Sequence, residues 1–183
     1  MEQTTLSLSG LDLPVYALDA LVIGSGCAGF NAADWLYDLG RRDVAILTEG
    51  VNMSASRNTG SDKQTYYKLS LAGDELDSVA EMARTLASGG GVHGDTARIE
   101  AACSARCFMK LANLGVPFPV NACGEYVGYK TDHDPRQRAT SAGPLTSRLM
   151  TEALERSVRR KGVRIFDRML AAHLLVEENT VTG

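Results

Sequence analysis

The chain is 183 residues long, enough for one domain with a proper core and too short for two ordinary ones. Its 44% hydrophobic and 22% charged residues are the proportions of a soluble globular protein, and a net charge of -3 excludes a general nucleic-acid binder, because no basic field is available to neutralise phosphates. The N-terminus carries no basic, apolar leader and no segment reaches the ~20 apolar residues of a membrane span, so a cytoplasmic chain with no membrane span is expected.

Residues Met1 to Asp12 read as a loose lead-in, and Val15 to Leu18 as an extension of the first strand that Pro14 limits. The run Ala20-Leu21-Val22-Ile23 is short and branched enough for a buried parallel strand. Gly24, Gly26 and Gly29 follow at the spacing G-x-G-x-x-G, then a helix-period segment through Leu39, and then Gly40. A second apolar run, Val44 to Leu47, leads to an acid, Glu49. In this order the parts form a dinucleotide cradle. Gly24 permits the turn off the strand, Gly26 the close approach of a pyrophosphate, and Gly29 the close packing of helix on sheet, while the helix N-terminus faces the anion. Glu49, about 20 residues after the glycines, suits a ribose diol and favours FAD or NAD over NADP. Ala33 and Leu36 share the helix face that fills the helix–sheet interface.

The stretch from Gly50 to Asp74 is rich in Gly, Ser, Asn and Thr, a long loop of the kind that serves function, leaving the cradle at the strand's carboxyl end. A helix is expected from Asp74 to Ala87 with Leu76, Val79, Met82 or Ala83 and Leu86 on one face, stopped at Gly89-Gly90-Gly91. A second runs from Asp95 to Leu114 with Asp95 and Thr96 as cap candidates, a register marked by Ile99, Cys103, Arg106 or Cys107, Lys110 and Leu114, Phe108 and Leu111 nearby, and Phe108 and Met109 read as core. Val116 to Ala142 is irregular, with a hairpin near Gly124. His133, between two aspartates, is read as an exposed turn rather than a metal or acid–base site, and Arg136 and Arg138 are within reach of an anion. A helix from Pro144 to Lys161 buries Leu145, Leu149, Leu154 and Val158, and its cluster of Arg156, Arg159, Arg160, Lys161 and Arg164 reads as a solvated helix end. Strands are expected at Val163 to Phe166 and Ala171 to Glu177, with a turn at Asn179. Cys27, Cys103, Cys107 and Cys123 lack the paired spacing of a zinc site and read as reduced thiols, with no metal expected.

Laid out in this way, the chain from Asp19 to Gly183 resembles the N-terminal part of the flavoprotein family that includes fumarate reductase, succinate dehydrogenase and L-aspartate oxidase. The resemblance rests on VIGSGCAGFNAA…VAILTE, on the Ser-rich loop after Glu49, on LANLGVPF and on SAGPLTSRLMTEALERSVRRKGVRIF. It implies an α/β fold, a Rossmann-like FAD-binding domain over residues 1–183 with a parallel sheet, flanking helices and a small β element, incomplete relative to the family. By this resemblance Gly24, Ser25, Gly26, Ala28 and Gly29 cradle the FAD pyrophosphate and Glu49 holds its ribose. Ser54 is the serine at which the loop turns toward the flavin, and Arg57, Asn58, Thr59, Gly60 and Ser61 run past the isoalloxazine ring. Met169 and Leu170 meet the adenine region through their backbones.

Three departures qualify what the resemblance implies. Ala55 stands near the position of the histidine that carries a covalent flavin in the succinate dehydrogenase branch, so non-covalent FAD is expected. The family's Ala-Gln-Gly-Gly loop is here closer to Asn-Thr-Gly-Ser. The family's capping domain, with its catalytic arginine and substrate histidines, and the returning segment that completes the FAD site would both follow Gly183, so no catalytic residue is named. The expected reaction in complete homologues is hydride transfer between flavin and a small carboxylic acid, with an electron-transfer subunit as a possible partner. Two other readings stand beside it: an NAD-dependent dehydrogenase, which the long loop after Glu49 disfavours, and a nucleotide-binding fragment or subunit without activity alone.

Overall fold

A computed structural model describes residues 1–58, 65–73 and 76–183. In chain order the elements are β1 (Glu2–Leu8), β2 (Leu11–Ala17), β3 (Ala20–Ile23), α1 (Cys27–Asp38), β4 (Val44–Thr48), α2 (Ala55–Asn58) and β5 (Tyr66–Tyr67). They continue with α3 (Val79–Ser88), α4 (Gly94–Asn113), β6 (Ala139–Thr140), α5 (Thr146–Arg160), β7 (Arg164–Asp167), β8 (Val176–Glu177) and β9 (Thr180–Val181). The chain divides into two compact units, Met1–Thr59 with Leu154–Gly183, and Gly60–Ala153.

The first unit is built on a three-stranded parallel sheet in the order β3-β4-β7, with Val22 opposite Ile46 and Leu47 opposite Phe166. Parallel neighbours need a crossover, and α1 supplies the one between β3 and β4. Phe30 and Ala33 of α1 are fully buried with Ala45 and Ile46 of β4. Helix α1 ends as expected, with Leu39 as cap and Gly40 at φ +93°. Strand β4 is buried along most of its length, which is why it reads as a continuous apolar run.

Residues 1–17 differ from expectation. They form an antiparallel hairpin, β1 with β2, closed by Ser9 and Gly10, both at positive φ. The signal was present: apolar residues at Leu6, Leu8, Leu11, Leu13 and Val15 alternate around a two-residue Ser-Gly turn. Val15 therefore extends this ribbon and not the parallel sheet, and Pro14 is tolerated because a two-stranded ribbon has free edges. The ribbon packs through Tyr16, whose ring lies 4.9 Å from that of Phe166. The expected strand from Ala171 shortens to β8, paired with β9 across Glu178 and Asn179, both at positive φ as a tight hairpin turn requires.

In the second unit α3 packs against α4 over a core of Met82, Ala97, Ala101, Phe108 and Leu111. Phe108 anchors an aromatic cluster, with ring centroids 4.6 Å from Phe118, 5.0 Å from Tyr126 and 5.6 Å from Tyr66. Helix α3 keeps its expected face, with Met82 buried, but starts later, and the register of helix α4 differs from expectation. Helix α3 begins at Val79, capped by Ser78 Oγ, which accepts the Glu81 N–H at 3.1 Å, and Leu76 is 90% exposed. The residue before the cap, Asp77, is drawn out of the helix to accept the Ser70 N–H at 3.0 Å. Helix α4 buries Ala97, Ala101 and Ser104 where Ile99 and Cys103 were expected, and Ile99 is 65% exposed. Small residues at these positions let α3 approach, so the face was chosen by size and not by hydrophobicity alone. Its N-cap is His93, not Asp95 or Thr96, and Phe108 is core while Met109 is 40% exposed.

Helix α5 likewise begins later than expected, at Thr146, whose Oγ1 accepts the Ala142 N–H at 2.8 Å, and this leaves Leu145 exposed. Leu154 and Val158 are buried as expected, joined by Thr151 and Ser157. Its basic end is not simply solvated. Lys161 pairs with Asp34 at 2.8 Å and Asp38 at 2.7 Å, fastening α1. Burial opposes the charge on Lys161, but the two carboxylates outweigh it and raise its pKa. Arg164 lies over the rings of Tyr16 and Phe166.

Candidate functional site

The site is assembled at the carboxyl ends of β3, β4 and β7. Gly24 leaves β3 at φ +103°, a conformation that side chains disfavour, and its N–H donates to Leu47 O at 2.8 Å, which locks the turn onto β4. Gly29 is the tightest position: a Cβ there would lie 1.9 Å from the carbonyl oxygen of Gly24. Only glycine lets α1 descend this close to the strand end. Gly26 caps α1 in an extended conformation, and a Cβ on it would come within 3.2 Å of Ser56 Oγ. The cap residue Gly26 has no side chain to cover this helix end and no acid lies in its first turn, so its N-terminal field favours an anion. Ser56 satisfies one of the terminal donors, the Cys27 N–H, at 3.3 Å.

The loop after β4 closes over this end. Ser25 and Thr48 join their hydroxyls at 2.8 Å, both buried, and so tie the glycine turn to the end of β4. The Met169 N–H donates to Thr48 O at 3.0 Å and brings the segment after β7 alongside. Between these parts lies a cavity of about 480 Å³ walled by Gly24, Ser25, Gly26, Glu49, Ser54 and Met169, among others. Glu49, at its mouth, is exposed. Ser54 Oγ is buried with no hydrogen-bond partner among the described residues. A buried hydroxyl without a partner is costly in a finished structure. An anion-receptive helix end, a cradle that a single Cβ would fill and an orphaned hydroxyl in its wall together fit a bound dinucleotide.

Of the residues expected from sequence, the structure brings Gly24, Ser25, Gly26, Glu49, Ser54, Met169 and Leu170 together around this cavity. Ala28 and Gly29 lie behind the wall on α1. Arg57 and Asn58 are on α2, outside the lining: Arg57 pairs with Glu155, and Asn58 Nδ2 bonds to Asn52 O at 2.6 Å and Ser54 O at 3.1 Å. Thr59, Gly60 and Ser61 lie outside the described residues, as does the expected helix start at Asp74. Sequence reasoning passed over Thr48, Gly50, Met53 and Ala171 in the wall. Each is within one residue of a named one, and that adjacency was the available signal.

The second unit holds a dense polar cluster of a different kind. Arg138 is fully buried and donates to both oxygens of Asp77 at 2.9 and 2.7 Å, to Asp134 at 3.1 Å, to Thr85 at 3.0 Å and to the Tyr67 hydroxyl at 3.3 Å. The anion that Arg138 was expected to reach is thus supplied by the protein, and Arg136 likewise pairs with Glu81 at 2.9 Å. Burial opposes ionisation of Asp77, but Arg138 and the N–H groups of Ser70 and Ser78 prevail and lower its pKa. Burial, and then Asp134, push Tyr67 up to about 12. Lys68 is fully buried against the Phe108 ring, 4.9 Å from its centroid, and burial draws it down to about 8 against the pull of Asp77. His133 lies in a turn closed by the Asp134 N–H on Thr131 O at 3.1 Å.

No disulfide joins the cysteines among the described residues, and among these residues no group of three or more His, Cys, Asp or Glu side chains is placed to hold a metal. No helix among them is long and apolar enough to cross a membrane.

The family profile described as FAD binding domain matches residues 19–183. No curated protein matches the chain. Among solved structures, E. coli quinol fumarate reductase is similar with a TM-score of 0.76 at 17% identity, over 91% of this chain and 28% of that one. Mycobacterium smegmatis Sdh1, in complex with UQ1, is similar with a TM-score of 0.79 at 18% identity, over 92% of this chain and 30% of that one. The 3-ketosteroid-delta4-(5alpha)-dehydrogenase of Rhodococcus jostii RHA1 has a TM-score of 0.67 at 17% identity, over 89% of this chain and 40% of that one. These likenesses establish a shared fold, and the chain spans less than half the length of each of these proteins.

Proposed function

Because the chain belongs to the FAD binding domain family, we propose that the cavity at the ends of β3, β4 and β7 holds FAD without a covalent link, as the nucleotide-binding part of an oxidoreductase. The observation that carries this reading is the glycine cradle: Gly29 cannot bear a Cβ, and α1, whose cap Gly26 has no side chain, starts beside a wall containing the Ser54 hydroxyl, which has no partner among the described residues. In this reading the main chain from Gly24 to Gly29 takes the pyrophosphate. Glu49 accepts from the ribose diol, and Met169 and Leu170 flank the adenine. Arg57, Asn58, Thr59, Gly60 and Ser61 belong to the segment that runs toward the flavin ring. The non-covalent link is supported by Ala55, which offers no side-chain nucleophile where the succinate dehydrogenase branch has its histidine.

When bound, FAD supplies hydride chemistry, and a small carboxylic acid is the proposed substrate, with an electron-transfer subunit as the proposed partner. The chain's own part is to bind, to orient and to exclude water. Four cysteines with no disulfide among the described residues support a cytoplasmic setting. Titration of the flavin-free chain with FAD, followed by flavin fluorescence, tests the reading, with NADH as competitor. Saturable uptake that NADH does not displace is expected; no uptake overturns it.

A narrower reading, that the isolated chain binds FAD but turns nothing over, is favoured by one feature. Glu49 is the only titratable residue in the cavity wall among the described residues, and by its place it serves binding. Turnover of fumarate or succinate by the isolated chain with an artificial electron carrier would remove it.

A further inference from the structure

The segment that follows Glu49 is fastened at both ends by carboxylates from other elements. At its start the Val51 N–H donates to Asp167 Oδ1 at 2.8 Å. Asp167 ends β7, where it pairs in register with Thr48 at the end of β4. At the far end the Arg57 guanidinium meets Glu155 of α5, with side chains only 12% and 15% exposed, and Glu155 also receives Arg159 at 2.7 Å. Between the two fastenings lies Ser54, with its buried and unpartnered hydroxyl in the cavity wall. The space available to the segment is narrow, since Ser54 Cβ would stand only 3.7 Å from a Cβ on Gly26.

We infer that Asp167 and Glu155 are positioning residues for the cofactor, holding the segment from Val51 to Arg57 so that the Ser54 hydroxyl is presented to FAD. This rests on the FAD reading above. A short polar loop left free would have to be ordered at the moment of binding, at a conformational cost per residue that subtracts directly from affinity. The two carboxylates order it beforehand. They also divide the labour of the loop: Arg57 is committed to Glu155, so the contact the loop makes at the cavity wall is a neutral hydroxyl and not a cation.

The test uses the full chain and FAD. Asp167→Ala and Glu155→Ala are expected to weaken FAD binding about tenfold, the scale of one lost hydrogen bond to a charged group. Asp167→Asn and Glu155→Gln keep an acceptor oxygen and are expected to restore most of that loss. The decisive measurement is coupling to Ser54. In a Ser54→Ala background Asp167→Ala is expected to cost twofold or less, because the group it positions has been removed. Full multiplication of the two effects, or unchanged affinity in both carboxylate variants, overturns the inference while leaving FAD binding intact. A wild-type chain that takes up no FAD fails the earlier reading and this one with it. Asp167 is exposed, so the Asp167 pair carries the test if Glu155→Ala does not fold.

Discussion

In the first unit the most informative polar atom is a buried hydroxyl with no partner among the described residues, Ser54 Oγ; in the second it is a buried guanidinium with five hydrogen bonds, Arg138. Both lie among turn-rich segments that look alike in sequence. What separates them is whether the surrounding chain completes their hydrogen bonding. Arg138 is closed upon itself by Asp77, Asp134, Thr85 and Tyr67, and holds two loops and the start of a helix in place. The cradle leaves a helix start whose cap, Gly26, has no side chain and, among the described residues, a hydroxyl unsatisfied beside a cavity. Satisfied polar clusters build architecture, and unsatisfied ones beside a cavity invite a ligand.

Substitutions can break this contrast at several strengths. The largest effect is expected from Arg138→Met, which strands the Asp77 and Asp134 carboxylates in the interior. About 3–5 kcal/mol of stability should be lost, as read by urea unfolding. Gly29→Ala should cost about 1–3 kcal/mol through overpacking against the Gly24 carbonyl. Unlike the arginine change, it should also abolish measurable FAD uptake in a fluorescence titration.

Next is a pH effect confined to the second unit. Lys68 is drawn down to about 8 in the folded chain, whereas an unfolded lysine titrates near ~10.4. Between these values the unfolded chain binds more protons, so stability should rise with pH, on the order of 1–2 kcal/mol from pH 8 to 10. Above that, Tyr67, pushed up to about 12, reverses the slope, because the unfolded tyrosine ionises first. Lys68→Met should flatten the rise in urea titrations repeated across this range. Glu49→Gln should weaken FAD about tenfold, from the loss of a charged acceptor, without moving the urea midpoint of the flavin-free chain. Smallest of all, Arg148→Ala removes an exposed pair with Glu152 and should shift stability by no more than about 0.5 kcal/mol.

The same contrast explains what the sequence disclosed. The cradle was legible because each of its parts is local: Ala20 to Ile23, Gly24 to Gly29 and Val44 to Glu49 lie within one βαβ stretch, and the glycines are fixed by contacts a few residues away. Arg138 was visible as a cation within reach of an anion, but its partners Asp77 and Thr85 are 61 and 53 positions distant, and nothing in either neighbourhood announces the other. The α4 register failed for a related reason. Ile99 is the more apolar side chain, yet Ala97 and Ala101 are buried because helix α3 requires small neighbours, and that demand is tertiary. The N-terminal hairpin was the missed local signal, since its Ser-Gly turn and alternating leucines needed no distant partner.

The order of strands in the parallel sheet has a consequence in time. Strand β7 pairs with β4 across roughly 120 intervening residues, a separation that slows closure of the sheet. The glycine turn and Glu49 leave the ribosome well before the wall formed by Met169, Leu170 and Ala171. During translation the nascent chain therefore presents half a cradle, with the apolar edge of β4 uncovered, until α5 and β7 arrive. Chaperone engagement and off-pathway association should concentrate in that interval, and cofactor capture should come after it.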